Sequence, residues 1–325
     1  MFYVLAGCAV YDGWLSMSQI SMSATPVNPT VATAAAAPYV PSVETVIQPK
    51  KGWIGIDWQE LFTRRELLFF MIWRDVKVKY KQAIFGSAWA VVVPLVSVMI
   101  YSIVGHFAGF ARGVQGVPYE IYIYAGLLPW LFLQQAINGG GMSLVNNQAM
   151  LSKIYLPRLY IPTSMIGSAC VDMFMSCLVF TGMLILFYFY KGFVPSWQIV
   201  FLPFLFALLM LAALGTSYLL SALTVMFRDL RFIIPFITQL GIWLTAVVYP
   251  QTIYVIKHAD GTVSDYRNWL ALNPFAGIIQ GFRACIIGQE VQWLQLASSI
   301  VLCSVLFVVG LFYFKRVERR FADIA

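Results

Sequence analysis

The amino-acid sequence predicts an all-α, polytopic membrane protein with six transmembrane helices, and three observations lead there. Five stretches, 88–111, 121–152, 192–227, 232–256 and 291–314, contain no Asp, Glu, Lys or Arg, and a sixth, 159–190, contains only Asp172. A helix of about 20 apolar residues crosses the roughly 30 Å of hydrocarbon in a bilayer, and a helix satisfies its own backbone there where an open strand does not. Hydrophobic residues make up 60% of the chain against 11% charged, with a mean hydropathy of +0.78, far from the composition of soluble domains. The positive charge is also segregated. Sixteen of the 21 Lys and Arg lie before residue 88, within 153–158 and 228–231, or after 314. Only Arg112, Lys191, Lys257, Arg267 and Arg283 fall on the other side of a six-span layout. The positive-inside rule then assigns both termini and the second and fourth loops to the cytoplasm. The net charge of +7 therefore encodes orientation, and it argues against a nucleic-acid partner.

The elements follow in order. Residues 1–60 are expected to form a flexible cytoplasmic tail, leaving 61–325 as the membrane domain. Within that tail, 16–49 is rich in Ser, Thr, Ala, Pro and Val without helical or strand period. Leu5-Ala6-Gly7-Cys8 looks superficially like a lipoprotein processing site, but no basic region precedes it and the apolar run is too short for a signal peptide. Residues 64–82 read as an amphipathic helix in the membrane interface: Phe69, Trp73, Val76 and Tyr80 form one stripe, with Arg74, Lys77 and Lys81 beside it. Such a helix either anchors the chain on anionic lipid or transmits force from a cytoplasmic partner.

The first span, 88–108, contains Pro94. The second, 121–145, carries Tyr122, Tyr124, Pro129, Trp130, Gln134, Gln135, Asn138 and the triplet Gly139-Gly140-Gly141. Amides and glycines are costly against lipid, so this helix is expected to face protein or a wet passage and to bend. Asp172 falls near the middle of the third span, where an ionised carboxylate costs about 2.5–3.5 kcal/mol on insertion scales. Without a matching basic or His partner, Asp172 reads as an inter-helix bond rather than a proton relay. The fourth span, 198–226, is uniformly apolar and is expected to face lipid. Residues 228–231 make a tight turn into the fifth span, 232–250, which ends at Tyr249-Pro250. The segment 251–292 is too polar to cross, and its apolar piece 275–287 is too short. A pair of half-inserted helices on the outer face is expected, with Pro274 in a first turn and Gly288 closing a C-terminus. The sixth span ends at Phe314, before the basic stop Lys315-Arg316.

Several chemistries are missing from the sequence. The five cysteines form no CxxC and no ligand cluster with the two histidines, so neither a disulfide nor a metal site is expected. No GxxxxGK[ST] loop, HExxH or GxSxG is present, nor a carboxylate pair suited to glycosidic chemistry. A membrane-embedded transferase of lipid-linked sugars would need acidic residues at a membrane face, where only Glu120, Asp229, Asp260, Asp265 and Glu290 are scattered. What remains is a transmembrane conduit, either passive or driven by an energy source on another chain.

An ordered set of short motifs narrows this. It runs from Tyr80-Lys81-Gln82, Phe85-Gly86-Ser87-Ala88-Trp89-Ala90 and Pro94 through Ala125-Gly126-Leu127-Leu128-Pro129-Trp130 and Ser143-Leu144-Val145-Asn146-Asn147. It continues through Leu151-Ser152-Lys153-Ile154-Tyr155-Leu156-Pro157-Arg158 and Phe227-Arg228-Asp229-Leu230-Arg231. Tyr249-Pro250, Leu272-Asn273-Pro274-Phe275 and Gly281-Phe282-Arg283 complete it. The series resembles the permeases of polysaccharide-export ABC transporters, the subunits that export O-antigen, capsule or teichoic-acid polymers, over roughly residues 64–320. Thr245-Ala246, where the family often has Ser-Pro, is a small departure. The resemblance implies a bacterial inner-membrane protein with six spans, a homodimer, a lipid-linked polysaccharide substrate, and two copies of an ATPase subunit. That partner would hold ATP and magnesium, with no cofactor on this chain. The resemblance also implies that Arg74, Lys77 and Lys81 of the interfacial helix, and Lys153, Pro157 and Arg158 of the loop 146–162, meet the ATPase. Asn273, Pro274, Phe275 and Arg283 would then belong to an outer gate. A two-fold dimer would place a passage on its axis. The first, second and fifth spans are expected to line it with Tyr101, Tyr124, Trp130, Phe132, Gln135, Asn138, Trp243 and Tyr249. A permease of the same fold moving a drug or a lipid fits the same motifs.

Overall fold

The computed structural model describes residues 62–81, 86–114, 116–151, 156–257 and 263–318; the expected tail 1–60 lies outside them. The main helices are α1 (Arg65–Lys81), α2 (Trp89–Phe107), α3 (Tyr119–Asn146), α4 (Tyr160–Lys191), α5 (Leu202–Met226), α6 (Leu230–Leu244), α7 (Ala276–Ile287) and α8 (Trp293–Glu318). Among the described residues four helices are both long and apolar enough to cross a membrane: α2, α4, α8, and α5 together with the 3-10 turn ahead of it, Trp197–Met226. At 28 residues, α3 has the length but carries amides and glycines. The 15 residues of α6 rise only about 22 Å at 1.5 Å per residue, short of a bilayer core. The expected fifth span is therefore helical only to Leu244, and residues 245–250 continue it as irregular turns.

Helix α3 is the centre of the molecule, with α2, α4, α5, α6 and α7 packed around it. Its glycine triplet explains how so many neighbours fit. A Cβ on Gly139 would face Met165 of α4, one on Gly140 would meet Ser217 of α5, and one on Gly141 would meet Ile234 of α6. Helix α3 runs unbroken through the triplet, and the glycines admit neighbouring helices there.

The expectation that the fourth span faces lipid is overturned. Ala212, Ala213, Gly215, Ser217 and Ser221 of α5 are all buried, and α5 packs closely against both α3 and α8. A Cβ on Gly215 would lie 2.7 Å from the Phe307 Cα of α8, a backbone-to-backbone approach that only small residues permit. The leucines around this stripe conceal it, because lipid and protein neighbours are equally apolar.

The two ends of the bundle differ. At one end Met71, Leu144, Tyr160, Tyr218 and Phe314 form a cluster that joins α1, the end of α3, the start of α4, and the ends of α5 and α8. At the opposite end, between α6 and α8, the described residues form one α-helix (α7) where a pair was expected. Ahead of it run a 3-10 turn (Gln251–Tyr254), an antiparallel hairpin of Val255–Lys257 with Val263–Asp265, and a second 3-10 turn (Arg267–Leu272). The register pairs Ile256 with Ser264. The run Tyr-Val-Ile favours a strand over a helix, which accounts for the missing member. Gly288 closes α7 as expected, at φ 80° with its N–H donating to the Ala284 carbonyl at 2.9 Å.

Candidate functional site

Two cavities of about 450 and 440 Å³ lie along α1, α3 and α4, and they share Lys79, Gln135 and Gly139 as a common wall. The first is apolar where Trp89, Val93 and Pro94 of α2 border it, and polar where Tyr80, Gln134 and Asp172 do. Asp172, only 9% exposed, accepts hydrogen bonds from Lys79 Nζ, Tyr80 Oη and Gln135 Nε2. The expectation that the carboxylate has no basic partner is thus corrected. Its partner comes from α1, 93 residues earlier in the chain. Three donors, one of them charged, offset much of the cost of burying an ionised carboxylate. Burial first, and then the bond to Asp172, push the Tyr80 phenol well above its ordinary range. It therefore remains a donor at any physiological pH.

Helix α1 is fastened one turn earlier as well. Arg74 Nη2 donates to Asp75 Oδ1 at 2.7 Å, and Ser164 Oγ of α4 donates to Asp75 Oδ2 at 2.8 Å. Arg74 also reaches Met150 Sδ at 2.8 Å and Asn147 Oδ1 at 3.3 Å, gripping the single helical turn Gln148–Leu151 that follows α3. Lys77 is exposed and lies over the Trp73 ring at 5.2 Å, and Lys81 is exposed. Phe69 and Trp73 face outward, whereas Tyr80 of the same predicted stripe turns inward to Asp172. Lys153 lies outside the described residues. Pro157 is half-buried, and Arg158 donates to the backbone carbonyl of Glu318 at the end of α8.

The residues expected to line a passage separate into three groups. Tyr124 and Trp130 are core: the Tyr124 hydroxyl donates to the Ser176 carbonyl at 3.1 Å, and the Trp130 indole covers Gly241 of α6. Phe132, Gln135 and Asn138 border the first cavity, and Asn138 Oδ1 accepts from Thr238 of α6 at 3.1 Å. Tyr101 and Trp243 meet edge-to-face at 6.5 Å, which joins α2 to α6 on one side of α3. Tyr249, just past α6, donates to the Trp243 carbonyl at 2.6 Å and lies 2.7 Å from the Tyr254 hydroxyl.

At the opposite end Arg283 has no solvent exposure. It donates to the carbonyls of Ala246 (2.8 Å) and Val247 and to the Tyr122 hydroxyl (3.0 Å), and its guanidinium lies 4.0 Å over the Tyr122 ring. Ala246 has a φ of 52°, a left-handed conformation rare for a residue with a Cβ. Asn273 Oδ1 accepts from the Phe275 N–H at 3.0 Å, and its Nδ2 donates to the Leu244 carbonyl at 3.3 Å. Half-buried Phe275 packs against the main core, and the Pro274 carbonyl accepts from Cys303 Sγ at 3.4 Å. The four residues expected near an outer gate thus knit the end of α6 to α7, α8 and the start of α3. The sequence pointed to these positions and to Arg74. It did not show Lys79, Asp75 or Ser164, whose partners are remote in the chain.

Residues 66–287 match the family described as ABC-2 type transporter. The chain belongs to that family. Among curated relatives, the O-antigen export system permease protein RfbA of Myxococcus xanthus is 27% identical over 227 residues, covering 70% of this chain and 82% of that protein. The protein of the same name from Klebsiella pneumoniae is 28% identical over 262 residues, covering 80% and 95%. As an ABC-2 transporter this chain is a multi-pass membrane subunit that works with an ABC ATPase, and it is not itself an enzyme. The match spans α1 through α7, so both the interfacial helix and the Arg283 end lie within the family's own architecture.

Proposed function

We propose that this chain is the permease subunit of an ABC exporter that moves a lipid-linked polysaccharide, of O-antigen, capsular or teichoic-acid type, out of the cytoplasm. The observation that carries the reading is the family match over 66–287 combined with the relatives' common name as O-antigen export permeases. The chain sits in the bacterial inner membrane with both termini in the cytoplasm, as the segregation of Lys and Arg supports. ATP and magnesium bind the partner ATPase, two copies of which engage the basic end through Arg74, Lys77 and Lys81 of α1 and through Lys153, Pro157 and Arg158.

The active unit is a homodimer whose passage lies against the α2–α6 side. Helix α6 supports this, because a helix too short for the bilayer core is relieved by oligomerising. Its exposed Phe236, Ile237 and Leu240, with Ile100 and Ile103 of α2, offer the apolar surface. Tyr101, Trp243 and Tyr249 then face the polymer, and Phe132, Gln135 and Asn138 border the adjoining cavity. Tyr124 and Trp130 hold the core behind them.

The test is reconstitution with its partner ABC ATPase in vesicles, measuring ATP hydrolysis and polymer translocation. Lipid-linked polymer is expected to stimulate hydrolysis and to cross the bilayer. Stimulation by small amphiphiles alone would instead assign a drug or lipid exporter.

A further inference from the structure

We propose that Asp172 is a releasable clamp, a positioning residue through which the interfacial helix α1 steers α3 and, beyond it, α6. This rests on the reading of the chain as an ATP-driven permease. Four observations converge on it. Helix α1 is held on α4 at two points, by Asp75 with Ser164 and by Lys79 and Tyr80 with Asp172. On α4, Gly167 lies between Ser164 and Asp172 and directly against Ile72 of α1, whose Cγ1 a Cβ at Gly167 would approach to 2.6 Å. The two helices therefore sit too close to slide while both bonds hold.

The clamp also opens onward. Asp172 accepts from Gln135 of α3, and one turn along α3 the Asn138 side chain accepts from Thr238 of α6. Polar bonds thus tie α1 to Gln135 of α3 and, one turn along that rigid helix, Asn138 to the short helix α6, so that a shift of α3 is felt at both. Finally, the cluster is walled by cavities on both sides, about 450 and 440 Å³, each bordered by Lys79 and Gln135. Both are large enough and polar enough on that wall to admit water. Freed Lys79 and Asp172 groups would be hydrated rather than orphaned, so release is cheap compared with breaking a dry buried ion pair. A purely structural bond would need no such room.

The experiment uses the full chain assembled with its ATPase in vesicles, in the variants Asp172→Asn, Lys79→Met and the swap Lys79→Asp with Asp172→Lys. Asp172→Asn keeps the shape and one acceptor, so folding is preserved. The expected result is unchanged assembly and basal hydrolysis in the single variants. Export per ATP should fall about tenfold, a typical size for inter-site coupling, and the swap should recover most of it. Spin labels at the exposed positions Val78 and Phe174, in a cysteine-free background, should report a narrow α1–α4 distance that shifts when ATP is trapped. In Asp172→Asn that distance should be broad and indifferent to nucleotide. Unchanged export per ATP in both single variants would overturn the clamp, as would lost assembly in Asp172→Asn without rescue by the swap. If the wild type hydrolyses ATP and moves no polysaccharide, the functional reading fails, while the label distances still decide the clamp.

Discussion

A guanidinium with no exposure must meet its partners inside the protein, and Arg283 does so by holding a strained turn. Its Nη atoms donate to the carbonyls of Ala246 and Val247 and to Tyr122, which fixes the left-handed Ala246 where α6 ends. Replacing it with Met would leave buried carbonyls unpaired. Arg283→Met is therefore expected to cost about 3 kcal/mol, as for a broken buried charged contact, and Tyr122→Phe about 1 kcal/mol, as for one ordinary hydrogen bond. Thermal unfolding in detergent checks both. Arg283→Lys should restore little, because an ammonium cannot present the planar fork that reaches two carbonyls and a ring together. A milder case lies nearby in the hairpin. The Arg267 side chain, then its backbone N–H, hold the Asp265 carboxyl down to about 2 from its ordinary 3.8. Because the folded value is depressed, the hairpin's gain from this pair is complete above pH 4 and is lost as pH falls toward 2. Amide-exchange protection around Val263–Asp265, taken relative to the intrinsic rate at each pH, should fall over that window, and Asp265→Asn should remove the dependence.

At the scale of elements the glycine triplet of α3 makes the sharpest forecast, because three chemically identical residues have different neighbours. A Cβ on Gly139 meets nothing nearer than Met165 Cβ at 3.6 Å, one on Gly141 meets Ile234 Cδ1 at 3.1 Å, and one on Gly140 lies 2.5 Å from Ser217 Cβ. Gly139→Ala should be neutral or stabilising by up to about 1 kcal/mol through helix propensity. Gly140→Ala should cost about 1–3 kcal/mol as overpacking, with Gly141→Ala between, all read from unfolding in detergent. The triplet was legible as a feature and its neighbours were not, since a sequence shows where side chains are missing and not what fills the space. The same limit explains α5, whose small-residue stripe is hidden among leucines that suit lipid and protein equally. It explains the end of α6 too, because the charge-free run continues past Leu244 although the helix does not. Features set by local chemistry read true: the long apolar helices α2, α4, α5 and α8, the Gly288 cap and the helical character of α1. The Asp172 cluster did not, because Lys79 and Tyr80 become its partners only when α1 folds back on α4.

At the scale of the whole molecule, what separates one apolar face from another is the length and company of its helices. Helices α4 and α8 also expose apolar residues, among them Phe174, Leu178, Val305 and Val308, but both are long enough to stand in lipid unaided. Helix α6 is not, and it sits beside α2 through Tyr101 and Trp243. If α2 and α6 meet their counterparts across a two-fold axis, cysteines on the two helices come within disulfide reach between subunits, which requires Cα atoms about 5–6 Å apart. In a background lacking the five native cysteines, Ile100→Cys combined with Leu240→Cys, exposed positions at matching depth on the two helices, should yield a covalent dimer on mild oxidation. Leu178→Cys on α4 should not. The cross-link should stop export and leave the ATPase bound, and reduction should restore transport, because the passage opens only if these faces separate. A covalent dimer through Leu178→Cys, with none through the α2–α6 pair, would move the axis to the exposed face of α4. It would then remove Tyr101, Trp243 and Tyr249 from the passage.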